Sequence, residues 1–253
     1  MDVLTLLDYL IRGLSLGSVY AIIALGYTMV YGIAKMLNFA HGDVIMVGAY
    51  VCFFAMTGLS PMFEAGSMAA AVVPALAGVV LSMAVCTVLG VVIEGLAYKP
   101  LRQAPSLAVL ITAIGVSYFL QNSALILWSS SPKIFSPIVG SGSQKIGPLT
   151  ISHVTLVTIA ACVVIMLALT AFTGRTKMGK AMRAVSEDKG AAQLMGINVN
   201  RTISMTFAIG SALAAIAGVL LCSAYPTPHK KDGIFVFSFY FSPSIRFGST
   251  TFT

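Results

Sequence analysis

A short polar cluster, the hexapeptide NFAHGD at residues 38–43, places an amide, an imidazole and a carboxylate between two apolar stretches. Ionisable groups at membrane depth are costly, so such a cluster indicates a function by default. If Gly42 breaks a helix, the half-helix that follows would offer free backbone N–H groups to a carboxylate. The candidate residues of this site are Asn38, His41, Gly42 and Asp43. The alternative is a hydrated loop beside Lys35.

A second polar segment, residues 174–201, lies between two long apolar runs. Gly174, Gly179 and Lys180 have the spacing of a phosphate-binding loop, which would cradle a nucleotide with backbone N–H groups and a lysine. Ala181 stands where that motif needs a hydroxyl for Mg²⁺, and the preceding apolar run is far too long for the required strand. The sequence therefore argues against nucleotide binding here.

Periodicity predicts two short helices in this segment instead. The first has an apolar face at helical spacing, formed by Met178, Ala181, Met182 and Val185. Ser186 is expected to cap the second helix, with Glu187 and Asp188 in its first turn, and Gly196 to end it. The second helix carries an apolar patch, AAQLM at residues 191–195. Two such faces outside the apolar runs need a partner, although helices lying flat on lipid head groups would show the same pattern.

No catalytic or metal site is expected. His41, His153 and His229 are the only histidines, no zinc-protease motif occurs, and GSGS at residues 140–143 has no base at a suggestive spacing. Four cysteines lie inside apolar runs as small buried side chains: Cys52, Cys86, Cys162 and Cys222. We predict a protein that is not an enzyme and has no cofactor.

The elements that carry these clusters are transmembrane helices. Of 253 residues, 58% are hydrophobic and 9% charged, against roughly 25% charged in soluble domains. The charge-free windows run from Gly13 to Ala34, Val44 to Phe63, Ala65 to Ile93, Gln103 to Pro132, Ile146 to Gly174 and Thr202 to Pro228. Each is about long enough for the ~20 residues of a spanning helix. We predict an all-α, polytopic transmembrane helix bundle of about six spans in the lipid bilayer.

The net charge of +7 indicates the orientation of the spans in the membrane rather than a nucleic-acid partner, because the basic residues lie in short loops beside apolar spans. Alternation of spans places nine on one side: Lys35, Lys99, Arg102, Arg175, Lys177, Lys180, Arg183, Lys189 and Arg201. The other side receives Arg12, Lys133 and Lys145. The 174–201 segment is therefore predicted to be cytoplasmic and the N-terminus external. A second span that only re-enters the membrane would move the N-terminus.

Two stripes of small residues at four-residue spacing predict close helix packing. The alternative for each stripe is a lipid-facing helix with incidental glycines. The stripes are Gly13, Gly17 and Ala21 in the first span, and Gly210, Ala214 and Gly218 in the last.

Two blocks of sequence, residues 20–50 and 178–201, carry a family resemblance. GAAQLMGI, residues 190–197, resembles the A-A-x-x-x-G core of the loop by which permeases of ABC importers dock onto their ATPases, with Gly190 in place of the usual Glu. Together with residues 20–50 and 178–201, it closely resembles the LivH-type permease subunits of branched-chain amino acid ABC importers. The similarity runs from about Leu10 to Tyr225.

This resemblance implies separate ATP-binding subunits, a second, homologous permease subunit, an external amino-acid-binding protein, and an inner-membrane location. It places the NFAHGD cluster in a translocation path and the polar segment in ATPase coupling. The implied coupling residues are Met182, Arg183, Val185, Glu187, Asp188, Ala191, Ala192, Leu194, Gly196 and Ile197. The alternative is a stand-alone ion-coupled transporter or channel, which usually has acidic residues inside its spans. Here only Asp43 and Glu94 come near a span.

Composition divides the chain into a permease domain, residues 1–227, and an atypical tail, residues 228–253. The tail contains no Ala or Leu but six phenylalanines, and its apolar part is too short to span a membrane as a helix. We expect a truncated permease with a non-native tail that inserts but does not complete a translocation path. The alternative is a naturally shortened relative.

Overall fold

The computed structural model describes residues 3–62, 68–128, 143–146 and 149–224. The helices are α1 (Val3–Ala34), α2 (His41–Leu59), α3 (Met68–Ile93), α4 (Ser106–Trp128), α5 (His153–Arg175), α6 (Lys177–Glu187), α7 (Lys189–Leu194) and α8 (Val199–Ala224). A short antiparallel pair, β1 (Ser143–Ile146) and β2 (Leu149–Ser152), precedes α5. The predicted all-α class is confirmed. The tail at 228–253 lies outside the described residues.

Within the part of the chain that the structure describes, six helices are long and apolar enough to cross a membrane, namely α1 to α5 and α8. The second region is longer than its apolar run suggests, because α2 and the 3-10 turn that follows it extend over His41–Met62. Its 22 residues reach about 33 Å at the rise of an α-helix. This length matches the hydrocarbon core of a bilayer.

The α2 and α8 helices form the centre of the bundle. Residues 41–50 of α2 are all buried, and α8 packs against α1, α2 and α3. Small residues permit the close approach. A Cβ on Gly48 would lie 2.8 Å from Cα of Ala215, and one on Gly210 would lie 2.7 Å from a methyl carbon of Val30.

Only one of the two small-residue stripes packs as predicted. In α8, Gly210, Ala214 and Gly218 are buried at the helix contacts. In α1, Gly13 and Gly17 are exposed and have no neighbouring atom within 4 Å of a built Cβ. That part of the prediction is wrong for this chain, because α1 turns a different face, including Ile22 and Val30, into the core.

Candidate functional site

The junction between α1 and α2 positions the NFAHGD side chains. The chain leaves α1 at Lys35, whose φ is 58°, and α2 begins at His41. The helix therefore does not break at Gly42, which lies in its first turn. Backbone N–H groups of His41 and Asp43 donate to the carbonyls of Asn38 at 3.3 Å and Ala40 at 3.1 Å. Some of the backbone N–H groups that were predicted to be free at this helix start therefore already donate hydrogen bonds within the chain.

Asn38, His41 and Asp43 are all buried, so the hydrated-loop interpretation is wrong for these side chains. They do not converge on one point. Tyr98 OH donates to Asn38 Oδ1 at 2.9 Å. The His41 ring lies edge-on to Tyr27, 5.9 Å between centroids, and hydrogen-bonds the backbone of Ile23. The junction is therefore tied to α1 and to the end of the third span.

Asp43 faces α4. Its carboxylate accepts a hydrogen bond from Ser117 Oγ and another from Gln121 Nε2 at 3.0 Å. Gln121 Nε2 also donates to Ser117 Oγ at 3.1 Å. Sequence reasoning missed these partners, although two polar residues spaced i, i+4 in an apolar span are a signal that could have found them.

The first helix of the polar segment, α6, uses its apolar face to pack against the bundle. Thr176 caps it, accepting from the backbone N–H of Gly179 at 2.9 Å. Met182 and Val185 are each 1% exposed, and α6 contacts α1, α5 and α8. Ala192 of α7 is buried as well. Met182, Val185 and Ala192 therefore hold the segment against the bundle. The prediction that these three residues contact a partner directly is corrected, because they are buried within the chain.

The second helix, α7, starts later than expected. Ser186 lies inside α6, where its hydroxyl donates to the carbonyl of Arg183 at 2.7 Å. Asp188 is the capping residue, and its carboxylate accepts from the N–H groups of Gly190 at 2.7 Å and Ala191 at 3.1 Å. Asp188, rather than Ser186, caps α7 because its backbone is extended, with φ −146° and ψ 114°, and this geometry places its side chain at the start of the helix.

Gly196 ends α7 as predicted. Its φ of 82° is in the left-handed region. The N–H of Ile197 donates to Ala192 O and that of Gly196 donates to Gln193 O, both at 3.0 Å, which is the Schellman pattern. The turn leaves Leu194 90% exposed and Met195 83% exposed. The other exposed candidates are Arg183, Glu187, Asp188, Ala191 and Gly196, and Ile197 is partly exposed.

Two polar contacts connect this segment to the spans, and the sequence did not indicate either. Lys189 Nζ donates to Ala34 O, the last carbonyl of α1, at 2.8 Å. Partial burial lowers the pKa of Lys189, and the nearby charges of Arg102 and Lys35 lower it further. This contact joins α7 to the helix that leads directly into the NFAHGD cluster.

The second contact is an ion pair at the start of α8. Glu94, buried after α3, pairs with Arg102 and accepts from Ser204 Oγ at 2.6 Å. Arg102 also donates to Asn200 Oδ1. The end of the third span is thereby fixed to the beginning of the last.

Comparison with known proteins identifies the family of this chain. The model of the family described as branched-chain amino acid transport system / permease component matches residues 9–243. The chain belongs to this family. It is a family of transport permeases rather than enzymes, and the six apolar helices make this permease a multi-pass protein of the inner membrane.

The permease is similar to several curated proteins. It is 41% identical over 223 residues to the high-affinity branched-chain amino acid transport system permease protein BraD of Pseudomonas aeruginosa, and 42% identical over 225 residues to LivH of Escherichia coli K12. Each match covers 87% of this chain and 71% of the relative. A probable LivH of Methanocaldococcus jannaschii is 28% identical over 214 residues, 79% of this chain and 61% of that protein. No solved structure matches the chain.

Proposed function

We propose that this permease is a membrane subunit of an ABC importer that moves leucine, isoleucine and valine across the inner membrane, driven by separate ATPase subunits. The observation that carries the proposal is family membership together with a polar two-helix segment held outside the spans. The assembly includes a second, homologous permease subunit and an external amino-acid-binding protein. The chain itself has no enzymatic activity, in keeping with the altered phosphate-loop motif at Ala181.

The exposed side of α7 is proposed to dock the ATPase. Leu194 and Met195 are large apolar side chains left almost fully exposed at the end of a six-residue helix. The apolar face of α6 is already buried against the bundle, so Leu194 and Met195 are the large apolar side chains that the segment still exposes, a patch much smaller than the continuous apolar face of a helix that lies on lipid. This arrangement favours a protein partner over the membrane surface.

Movement of the docked segment is proposed to reach the NFAHGD cluster through Lys189. Its bond to Ala34 O joins α7 to the C-terminal end of α1. Asn38 and Asp43 then connect the following junction to Tyr98 and to α4. Breaking and remaking these buried hydrogen bonds would open and close a gate, which is the role we propose for Asn38, His41, Gly42 and Asp43.

An ion-coupled mechanism is less well supported. Among the described residues, Asp43 and Glu94 are the buried acidic side chains. Asp43 is held by Ser117 and Gln121, and Glu94 is paired with Arg102. Both carboxylates thus have partners within the chain, and the charge of Glu94 is already balanced by a cation.

Uptake by the intact assembly tests the function. Proteoliposomes that contain this permease, its partner permease and the ATPases should accumulate radiolabelled leucine when binding protein and ATP are supplied. Excess isoleucine or valine should compete, and lysine should not. Transport of another solute in place of leucine, or leucine uptake driven by an ion gradient without ATP, would contradict the proposal.

Gly196→Val should uncouple the segment. A β-branched side chain at a φ of 82° is strained by roughly 1 to 2 kcal/mol, so the turn after α7 is expected to shift and ATP-driven uptake to fall at least tenfold. Membrane insertion should persist. Gly174→Val is the control, because Gly174 lies in the helical end of α5 with open space around it. Equal uptake by the two variants would refute the role of the turn.

A further inference from the structure

A cleft of about 450 Å³ lies beside the end of α1 and the start of α4. Three basic residues line it, Lys35, Arg102 and Lys189, and its lining contains no acidic residue. Because the first span ends at Ala34 and the fourth begins at Ser106, the cleft is at the level where membrane meets water.

The positive charge of this cleft is incompletely balanced. Glu94 pairs with Arg102, but among the described residues neither Lys35 nor Lys189 makes an ion pair, and the buried Nε of Arg102 has no hydrogen-bond partner. The lowered pKa of Lys189, caused partly by Arg102 and Lys35, reflects the proximity of these cations. An anion placed between them would relieve the repulsion.

Much of the remaining lining of the cleft, its apolar wall, consists of apolar side chains. Tyr31, Leu107 and Leu110 line it, and Leu107 is 66% exposed. Both leucines lie near the start of α4, so the apolar wall continues into the spanning part of that helix. The cleft thus combines basic residues with an exposed apolar wall at the membrane–water boundary. This combination matches a phospholipid, which is charged at the headgroup and apolar along its acyl chains.

We propose that this cleft binds an anionic phospholipid, with its headgroup phosphate between Lys35, Arg102 and Lys189 and an acyl chain along Leu107 and Leu110. Ammonium and guanidinium groups are suitable donors to phosphate oxygens. Because Lys189 also holds α1 at Ala34 O, the bound lipid would stabilise the contact between α7 and the first span. An acidic segment of a protein partner would satisfy the charges but not the apolar wall.

Lipid titration of the purified permease tests this. Phosphatidylglycerol, phosphatidylcholine and inorganic phosphate are added separately in neutral detergent, and bound lipid is counted by native mass spectrometry beside the thermal midpoint. The wild-type chain should retain phosphatidylglycerol in preference to phosphatidylcholine. Lys35→Gln combined with Lys189→Gln should weaken retention by about fivefold for each lost cation. Glutamine at 189 keeps an N–H donor, and Lys35→Gln alone provides a second variant if the pair does not fold.

The matched control removes two exposed lysines that do not line the cleft, with Lys99→Gln and Lys177→Gln. Unchanged retention in this control supports a specific site. An equal loss would show diffuse attraction and overturn the proposal. Inorganic phosphate that binds as tightly as phosphatidylglycerol would overturn it too, as would carbodiimide cross-linking of Lys35 or Lys189 to an ATPase carboxylate in the assembled complex.

Discussion

Replacing Gly218 by leucine is expected to abolish the folded permease. A Cβ at this position would fall on the carbonyl oxygen of Ile45 in α2, well inside van der Waals contact. The obstacle is backbone rather than a mobile side chain, so α2 and α8 would have to separate along the buried centre of the bundle. Overpacking of this kind costs about 3 kcal/mol or more. Size-exclusion profiles and thermal midpoints in detergent measure the result.

Gly13→Leu is the matched control. Gly13 also lies in a spanning helix, but it is exposed and a Cβ there meets nothing within 4 Å. Its replacement should change stability by no more than about 0.5 kcal/mol. If the Gly218 and Gly13 variants were equally monodisperse and equally stable, the packing of α2 against α8 described above would be wrong.

Glu94→Leu should also produce a large loss of stability. The Glu94 side chain is 2% exposed and that of Arg102 is 14% exposed, so the substitution leaves a nearly buried guanidinium without its carboxylate. Ser204 loses its acceptor in the same step. Removing one member of a buried pair costs about 3 to 5 kcal/mol, which should appear as a lower thermal midpoint.

A double change and a surface pair provide the controls for Glu94. Adding Arg102→Met to Glu94→Leu should recover part of the loss, because the unpaired charge is gone. Asp8→Leu breaks the exposed pair between Asp8 and Arg12, 2.8 Å apart, and should cost less than about 1 kcal/mol. A Glu94 effect as small as that of Asp8, with no recovery in the double variant, would contradict the assigned pair.

Much of the fold follows from the sequence, because a helix needs about 20 apolar residues to cross a bilayer, and apolar runs of that length therefore predict spanning helices. The exception is α2, whose polar start is helical. Composition suggested a short crossing, whereas His41 and Asp43 lie in the first turn of the helix, and the Asp43 carboxylate is hydrogen-bonded inside the protein. The stripe in α1 shows a related limit. Spacing identifies a helix face that permits close packing, but only the tertiary structure decides whether another helix packs against that face.

The candidate site was less predictable, since its contacts join residues distant in the chain. Ser117 lies 74 residues after Asp43, and Lys189 lies 155 residues after Ala34. A local pattern can mark single members of such pairs, as the i, i+4 spacing of Ser117 and Gln121 does, but it does not identify the distant partner. The apolar face of α6 is ambiguous for a different reason: Met182 and Val185 have the same periodicity whether they meet the bundle or a partner. The structure assigns them to the bundle and leaves Leu194 and Met195 exposed.

Site-specific photo-cross-linking is the most direct test of whether α7 docks an ATPase. A photoreactive residue is placed at Leu194 in the assembled transporter, and a second variant carries it at Leu167, an exposed position in the apolar span α5. We expect an efficient cross-link from position 194 to the ATPase subunit and none from position 167. A cross-link to lipid alone at position 194, with the ATPase present and bound, would contradict it.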